Sequence, residues 1–266
     1  MQCYNCDKEL KSFHDICPYC GECYFVSVCV QCGHTLDNGK DTCEHCCAGV
    51  DSIQIMSIEV ADMLKGALQG NPTEQIRLSK CYENGIGVEQ DDEAACKWCR
   101  MAAEHGDSYA QLVLGRRYMR GKGVSQSDEK AVEWYRKAAE QGERVAQHNL
   151  GTCYHDGIGV GKSCEKAVEW YQKAAEQGLA EAQSTLGIQY YAGEGVCQSF
   201  EKAVEWFRKG AEQDDSESQI LLGLCYAKGQ GVSQSREQAL YWLRKADEAG
   251  NSRAQEYLGK FGGNKL

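Results

Sequence analysis

This sequence has no apolar run near the roughly 18 residues that a membrane-spanning helix needs, and its mean hydropathy is −0.56. No membrane span is expected. Its opening, Met1-Gln2-Cys3-Tyr4, carries neither the basic nor the apolar stretch of an export signal. A reducing, cytoplasmic setting is therefore expected, and the 17 cysteines are not read as a disulfide framework. Basic residues are scarce: 29 Lys and Arg stand against 39 Asp and Glu, for a formal charge of −10. Up to Val50 only Lys8, Lys11 and Lys40 face Asp7, Glu9, Asp15, Glu22, Asp37, Asp41 and Glu44. Phosphate binding depends on Lys and Arg releasing counterions, so nucleic acid is not an expected partner. Hydrolase signatures are missing too, with no HExxH, no GxSxG, and no Ser/Lys or Cys/His set at a recognised spacing. Prolines number two, Pro18 and Pro72.

What fills the front of the chain is cysteine, ten of them in the first 47 residues. Cys3-x2-Cys6 is followed after ten residues by Cys17-x2-Cys20, and the pattern returns 26 residues on as Cys29-x2-Cys32 and Cys43-x2-Cys46. Two such paired turns set four thiolates around a tetrahedral Zn2+. So short a segment, poor in aliphatics, cannot build an adequate core, and two structural zinc ions are the expected staple. Spacing leaves the pairing open: each clamp closes on itself, or Cys17/Cys20 join Cys29/Cys32. Cys23 and Cys47 have no counterpart at the 26-residue offset. His14, His34 and His45 are read as surface residues, because four cysteines already fill each site. The knuckles Cys17-Pro18-Tyr19-Cys20-Gly21 and Cys29-Val30-Gln31-Cys32-Gly33 make this segment resemble a tandem zinc ribbon. The resemblance implies a small zinc module over residues 1–47, structural or protein-docking in role.

Residues 48–70 follow as a bridge. Ile53, Met56, Val60, Met63/Leu64 and Ala67/Leu68 recur at steps of three and four, which predicts an amphipathic capping helix. It also keeps faint register with what comes next, Val60, Ala67 and Gly70 aligning with Val132, Ala139 and Gly142.

From residue 71 onward a unit of 36 residues recurs without a slip. Trp98, Trp134, Trp170, Trp206 and Trp242 are all the tryptophans, and Gly85/Gly87, Gly121/Gly123, Gly157/Gly159, Gly193/Gly195 and Gly229/Gly231 keep the same step. A fixed period in this range marks a repeat architecture. Each unit is expected to hold two helices, A over about 107–119 and B over about 128–141 in the plainest copy. Ala110, Leu114 and Tyr118 make one stripe of helix A, and Gly115 beside them lets a neighbour approach. Ala131, Trp134/Tyr135 and Ala138 make the facing stripe of helix B, which puts each tryptophan in the core of the seam. Gly157-Ile158-Gly159-Val160-Gly161-Lys162-Ser163 looks like a phosphate loop, but Asp156 stands where its first glycine belongs. Cys81, Cys153 and Cys225 share one helix A register and are read as packing groups. For Cys96-Lys97-Trp98-Cys99 two readings stay open: packing, or a metal site completed by Cys81.

Ala146-Gln147-His148-Asn149-Leu150-Gly151, Tyr154, Gly157-x-Gly159-Val160 and the run from Lys166 to Ala175 make the unit resemble the Sel-1-like repeat, a cousin of the tetratricopeptide repeat. A plain tetratricopeptide repeat would have 34 residues and a proline between units; here the period is longer and the prolines are missing. The resemblance implies an all-α fold: a right-handed α-solenoid of helical hairpins, five repeats over 71–250 and a capping helix over 251–266. It implies a non-enzymatic scaffold that binds a protein or peptide in the groove lined by A helices. The positions free of packing duty are then Tyr109, Leu112, Val113, Arg116 and Arg120; His148, Asn149, Thr152 and Asp156; Glu181, Ser184, Thr185 and Ile188; Ile220, Leu221, Leu224 and Lys228. The trio Ile220, Leu221 and Leu224 is the apolar part of that face. Two other functions are weighed: an enzyme acting on β-lactams, and nucleic-acid binding through the ribbons. Secreted relatives of the β-lactam type pair cysteines eight apart, and no pair in this array has that spacing.

Overall fold

The computed structural model of this chain describes residues 25–29, 35–36 and 53–262, and its chain falls into two compact units, 1–127 and 128–266. The first unit contains β1 (Phe25–Cys29), β2 (Thr35–Leu36), β3 (Ile53–Ser57), α1 (Ile58–Leu68), α2 (Pro72–Asn84), α3 (Asp92–Glu104) and α4 (Ser108–Arg120). The second contains α5 (Asp128–Glu140), α6 (Arg144–Asp156), α7 (Cys164–Glu176), α8 (Ala180–Ala192), α9 (Phe200–Ala211), α10 (Ser216–Lys228), α11 (Arg236–Glu248) and α12 (Ser252–Gly262). Twelve helices among the described residues bear out the helical-hairpin reading. Within the second unit each helix packs on the next, and α8 also meets α10.

The bridge differs from its expectation. Residues 53–57 are strand, not helix, and pair antiparallel with β1, Phe25 opposite Ser57 and Cys29 opposite Ile53. With β2 on its other edge, β1 is the middle of a three-stranded sheet. The steps from Ile53 to Met56 to Val60 mimic a helix, but Ile53-Gln54-Ile55 also alternates with period two. Ser57 decides the matter: its backbone is extended and its hydroxyl accepts from Val60 N at 3.3 Å, so the helix begins after it. Val28 on β1 is fully buried in one cluster with Val60, Leu64, Leu78 and Trp98. A boundary drawn at residue 47 therefore does not separate β1 from the helices of the first unit.

Punctuation of the helices is periodic. Ser163, Ser199 and Ser235 cap α7, α9 and α11 through hydroxyls that accept from Lys166 N, Lys202 N and Gln238 N. The glycine pair has two duties. Gly157 ends α6 at φ +76°, and a Cβ on Gly159 would run into the carbonyl of Asp128 at the start of α5.

The seam holds the expected A stripe: Ala146, Leu150 and Tyr154 are buried. Helix B differs by one position. Tyr171 and Phe207 are buried, whereas Trp134, Trp170, Trp206 and Trp242 are only half-buried. The lysine one turn on covers each ring, Lys173 Nζ lying 3.9 Å from the centre of Trp170. Only Trp98 among the five is buried. The helix A glycine receives the neighbouring ring instead, since a Cβ on Gly151 would sit 2.7 Å from Tyr171.

One buried contact recurs at every turn of the repeat. Gln75, Gln111, Gln147, Gln183 and Gln219, 36 residues apart, donate Nε2 to the carbonyls of Ala67, Ala103, Ala139, Ala175 and Ala211. Those carbonyls lie in the last turn of the preceding helix, where intrahelical partners run out. Gln75 finds its carbonyl on α1, which thus serves α2 as the B helices serve later copies.

Candidate binding site

Helix A side chains are set by the 36-residue register, so their exposure can be compared copy by copy. Leu112, His148, Ser184 and Ile220 share one register and all four are buried. They were expected in the groove, but stacking closes over this step. Ile220 is packed with Leu243, Ala246 and Ala254, with Leu224 against the same cluster and Leu221 against Phe207 and its neighbours. The trio is apolar because it is core, and the apolar docking patch is thereby withdrawn. His148 meets Thr185 Oγ1 at 3.3 Å and the Tyr171 ring at 5.4 Å, and burial pulls its pKa down against the opposing pull of Glu181.

The other steps remain open to solvent. Tyr109, Arg116, Arg120, Asp156, Glu181, Ile188 and Lys228 are exposed, and Val113, Asn149, Thr152 and Thr185 are half-buried. Thr152 accepts from the Tyr171 hydroxyl at 3.3 Å. Asp156 lies 2.7 Å from His155 Nδ1, and Glu194 lies 3.2 Å from its Nε2. Hydrogen bonds to these two carboxylates push the His155 pKa up.

In the first unit three expected residues come together. Tyr109, Arg116 and Arg120 on α4 face Ile76, Lys80 and Glu83 on α2 across a cavity of about 200 Å³, with Cys99 of α3 and Lys122 also in its wall. Lys80 Nζ stands 5.0 Å from the centre of the Tyr109 ring. Glu83 is 2.8 Å from Lys122 Nζ and 3.1 Å from Arg117 Nη2. Burial raises its pKa, but the Lys122 hydrogen bond and the Arg117 charge outweigh that and hold it below the usual carboxylate range.

Arg117 is the residue that sequence reasoning missed. It is 3 % exposed, at the register where Cys81, Cys153 and Cys225 pack in other copies. An arginine at a cysteine register was the available signal. Cys99 makes its room, standing two and three repeats ahead of Tyr171 and Phe207, so a thiol occupies the register of a ring. Ser79 on α2 likewise replaces the glycine, and its hydroxyl donates to Ala95 O at 2.7 Å.

Burial pushes the thiol of Cys99 up to about 12 and that of Cys96 up as well. Among the described residues no three His, Cys, Asp or Glu side chains gather as a metal site, so the Cys81, Cys96 and Cys99 set is a packing group. Of the expected zinc ligands, Cys29 is the last residue of β1, while Cys3, Cys6, Cys17, Cys20, Cys32, Cys43 and Cys46 lie outside the described residues, as do Cys23 and Cys47. Among the described residues, no helix is long and apolar enough to cross a membrane.

Sel1 repeats match five consecutive stretches: 75–107, 108–143, 144–179, 180–215 and 216–251. The chain belongs to the Sel1 repeat family. Sel1 repeat proteins typically serve as protein-interaction scaffolds. A protective antigen present in uropathogenic Escherichia coli strains, displaying an SLR fold, is 38 % identical, with a TM-score of 0.72 over 74 % of this chain. The present chain spans 42 % of that antigen's length. A Sel1 repeat protein from Oxalobacter formigenes is 36 % identical with a TM-score of 0.69, covering 79 % of this chain and 90 % of its own. No curated protein matches the chain.

Proposed function

We infer that this Sel1 repeat chain is a non-enzymatic scaffold that holds a protein or peptide partner against the open helix A positions. The observation that carries the reading is the convergence of Tyr109, Arg116 and Arg120 on one cavity between α2 and α4. In the second unit, taken by itself, side chains at the same steps of α6, α8 and α10, among them Asn149, Asp156, Glu181, Ile188 and Lys228, differ in chemistry from copy to copy. Stacked repeats offer such a face as an extended contact surface. Affinity capture from the native host tests this, with Arg116→Glu/Arg120→Glu as the comparison. Both arginines are exposed, so the helical circular dichroism should be unchanged while capture falls. Equal capture by the two proteins counts against the face.

The same reading takes residues 1–47 as a structural zinc module, with Cys3, Cys6, Cys17, Cys20, Cys29, Cys32, Cys43 and Cys46 holding two ions. Paired thiolates are the donor set of closed tetrahedral zinc sites. Support comes from the backbone: β1 and β2 are antiparallel, and the five residues joining them contain the second cysteine of Cys29-x2-Cys32. Elemental analysis near two zincs per chain is expected; a value near zero after purification without chelator would overturn it.

A further inference from the structure

We propose that the cavity between α2 and α4 is a receptor for a carboxylate, supplied by an acidic side chain or by the C-terminus of a peptide. The proposal rests on the scaffold reading and names the chemistry that one part of the face selects. Its first ground is Arg117. The guanidinium is buried, with an ion pair from Nη2 to Glu83 at 3.1 Å and the neutral Cys99 thiol beside it, yet no oxygen acceptor meets Nε or Nη1. A buried cation of five donors with so few partners is costly unless an anion completes it. Of the neighbouring groups only Glu83 brings an anion, and it meets Nη2 alone. Glu83 is shared with Lys122, and the Cys99 thiol is kept protonated by burial, so it brings no charge.

Charge is the second ground. Lys80, Arg116, Arg117, Arg120 and Lys122 line the cavity against the single carboxylate of Glu83, in a chain whose formal charge is −10. A basic concavity on an acidic protein concentrates anions locally. Shape is the third. The volume of about 200 Å³ admits a short acidic side chain or a chain terminus, and the planar fork of arginine matches a carboxylate in two-point contact. The other copies of the repeat lack the pair that builds it: where this copy has Cys99 and Arg117, the second unit has Tyr171 with Gln189 and Phe207 with Cys225.

Calorimetry on the full chain with three unlabelled peptides tests the proposal. These are tetra-aspartate amidated at its C-terminus, tetra-alanine with a free C-terminus, and tetra-alanine amide. At least one of the first two is expected to bind, with affinity falling as salt rises, and the third is not. The first binding assigns the site to acidic side chains; the second assigns it to chain termini. Arg117→Cys installs the residue that α6 and α10 carry at this register, so the fold has a precedent for it. It should weaken binding by about tenfold or more, as should Arg116→Gln/Arg120→Gln to a lesser degree, while Arg144→Gln should not. Equal binding of all three peptides, binding of none, or unchanged affinity of Arg117→Cys would overturn the receptor. Capture of a host partner that persists in Arg117→Cys while the peptides fail would sink the receptor and leave the scaffold standing.

Discussion

Tyr171 is 2 % exposed and lies against Gly151, whereas its neighbour Trp170 is half-buried beneath Lys173. Removing the buried ring leaves a cavity in a tight seam, so Tyr171→Ala should cost about 3–5 kcal/mol in urea unfolding. Trp170→Ala should cost about 1–2 kcal/mol, from partial burial and the cation–π contact. The reverse ranking would refute the assignment of seam and surface. Two histidines make a second contrast. His155, held by Asp156 and Glu194, has a folded pKa above its unfolded value, so its contribution is full below the unfolded value and fades as pH rises through the folded one. His148 is the opposite case: burial lowers its folded pKa, so its contribution is full above the unfolded value and is lost as pH falls below it. NMR titration should therefore place the His155 midpoint above 6.5 and that of His148 below it.

At the scale of the helix, the recurring glutamine joins one repeat to the next. Gln147 donates to Ala139 O at 3.0 Å and accepts from Gln177 Nε2 at 2.7 Å, both in buried or half-buried surroundings. Gln147→Leu keeps the volume but removes one of the two bonds to Ala139 O, which still accepts from Gly142 N at 3.0 Å, and takes the acceptor from Gln177 Nε2, so it should cost about 1–3 kcal/mol. A melting temperature equal to the parent's would show that water takes over the bond. This contact also marks where the sequence was legible. The 36-residue step located every helix pair, because glycine, alanine and aromatic positions answer directly to close approach and burial. It could not say which of two adjacent aromatics faces inward, since Trp170 and Tyr171 differ by one 100° turn and both are large. The glutamines keep the same 36-residue step, but nothing in the sequence says which carbonyl each one meets. Likewise Ile220 reads as exposed on a helical wheel of α10 alone, and only α11 and α12 closing over it make it core. Arg116 and Arg120 were legible as open positions; Arg117 was not, because burying an arginine requires the smaller Cys99 on a different helix.

At the scale of the chain, the front end is tied to the array through β1. Five paired residues join β1 to β3, Ser57 N donates to Gly87 O at 2.6 Å in the first glycine loop, and Val28 is buried with Val60, Leu64 and Trp98. A metal that orders the segment on either side of β1 would thus stabilise more than its own ligands, because binding to the folded state alone raises folded stability by linkage. In an array where each element meets mainly its neighbours, that effect should fade with distance along the chain. Hydrogen exchange with and without a zinc chelator measures it directly. Protection in β3, α1, α2 and α3 should drop on chelation, while α8 to α12 should serve as an unchanged internal reference. Protection unchanged in α1 and α2 would mean that the sheet holds without metal, and would separate the proposed zinc module from the stability of the first repeat.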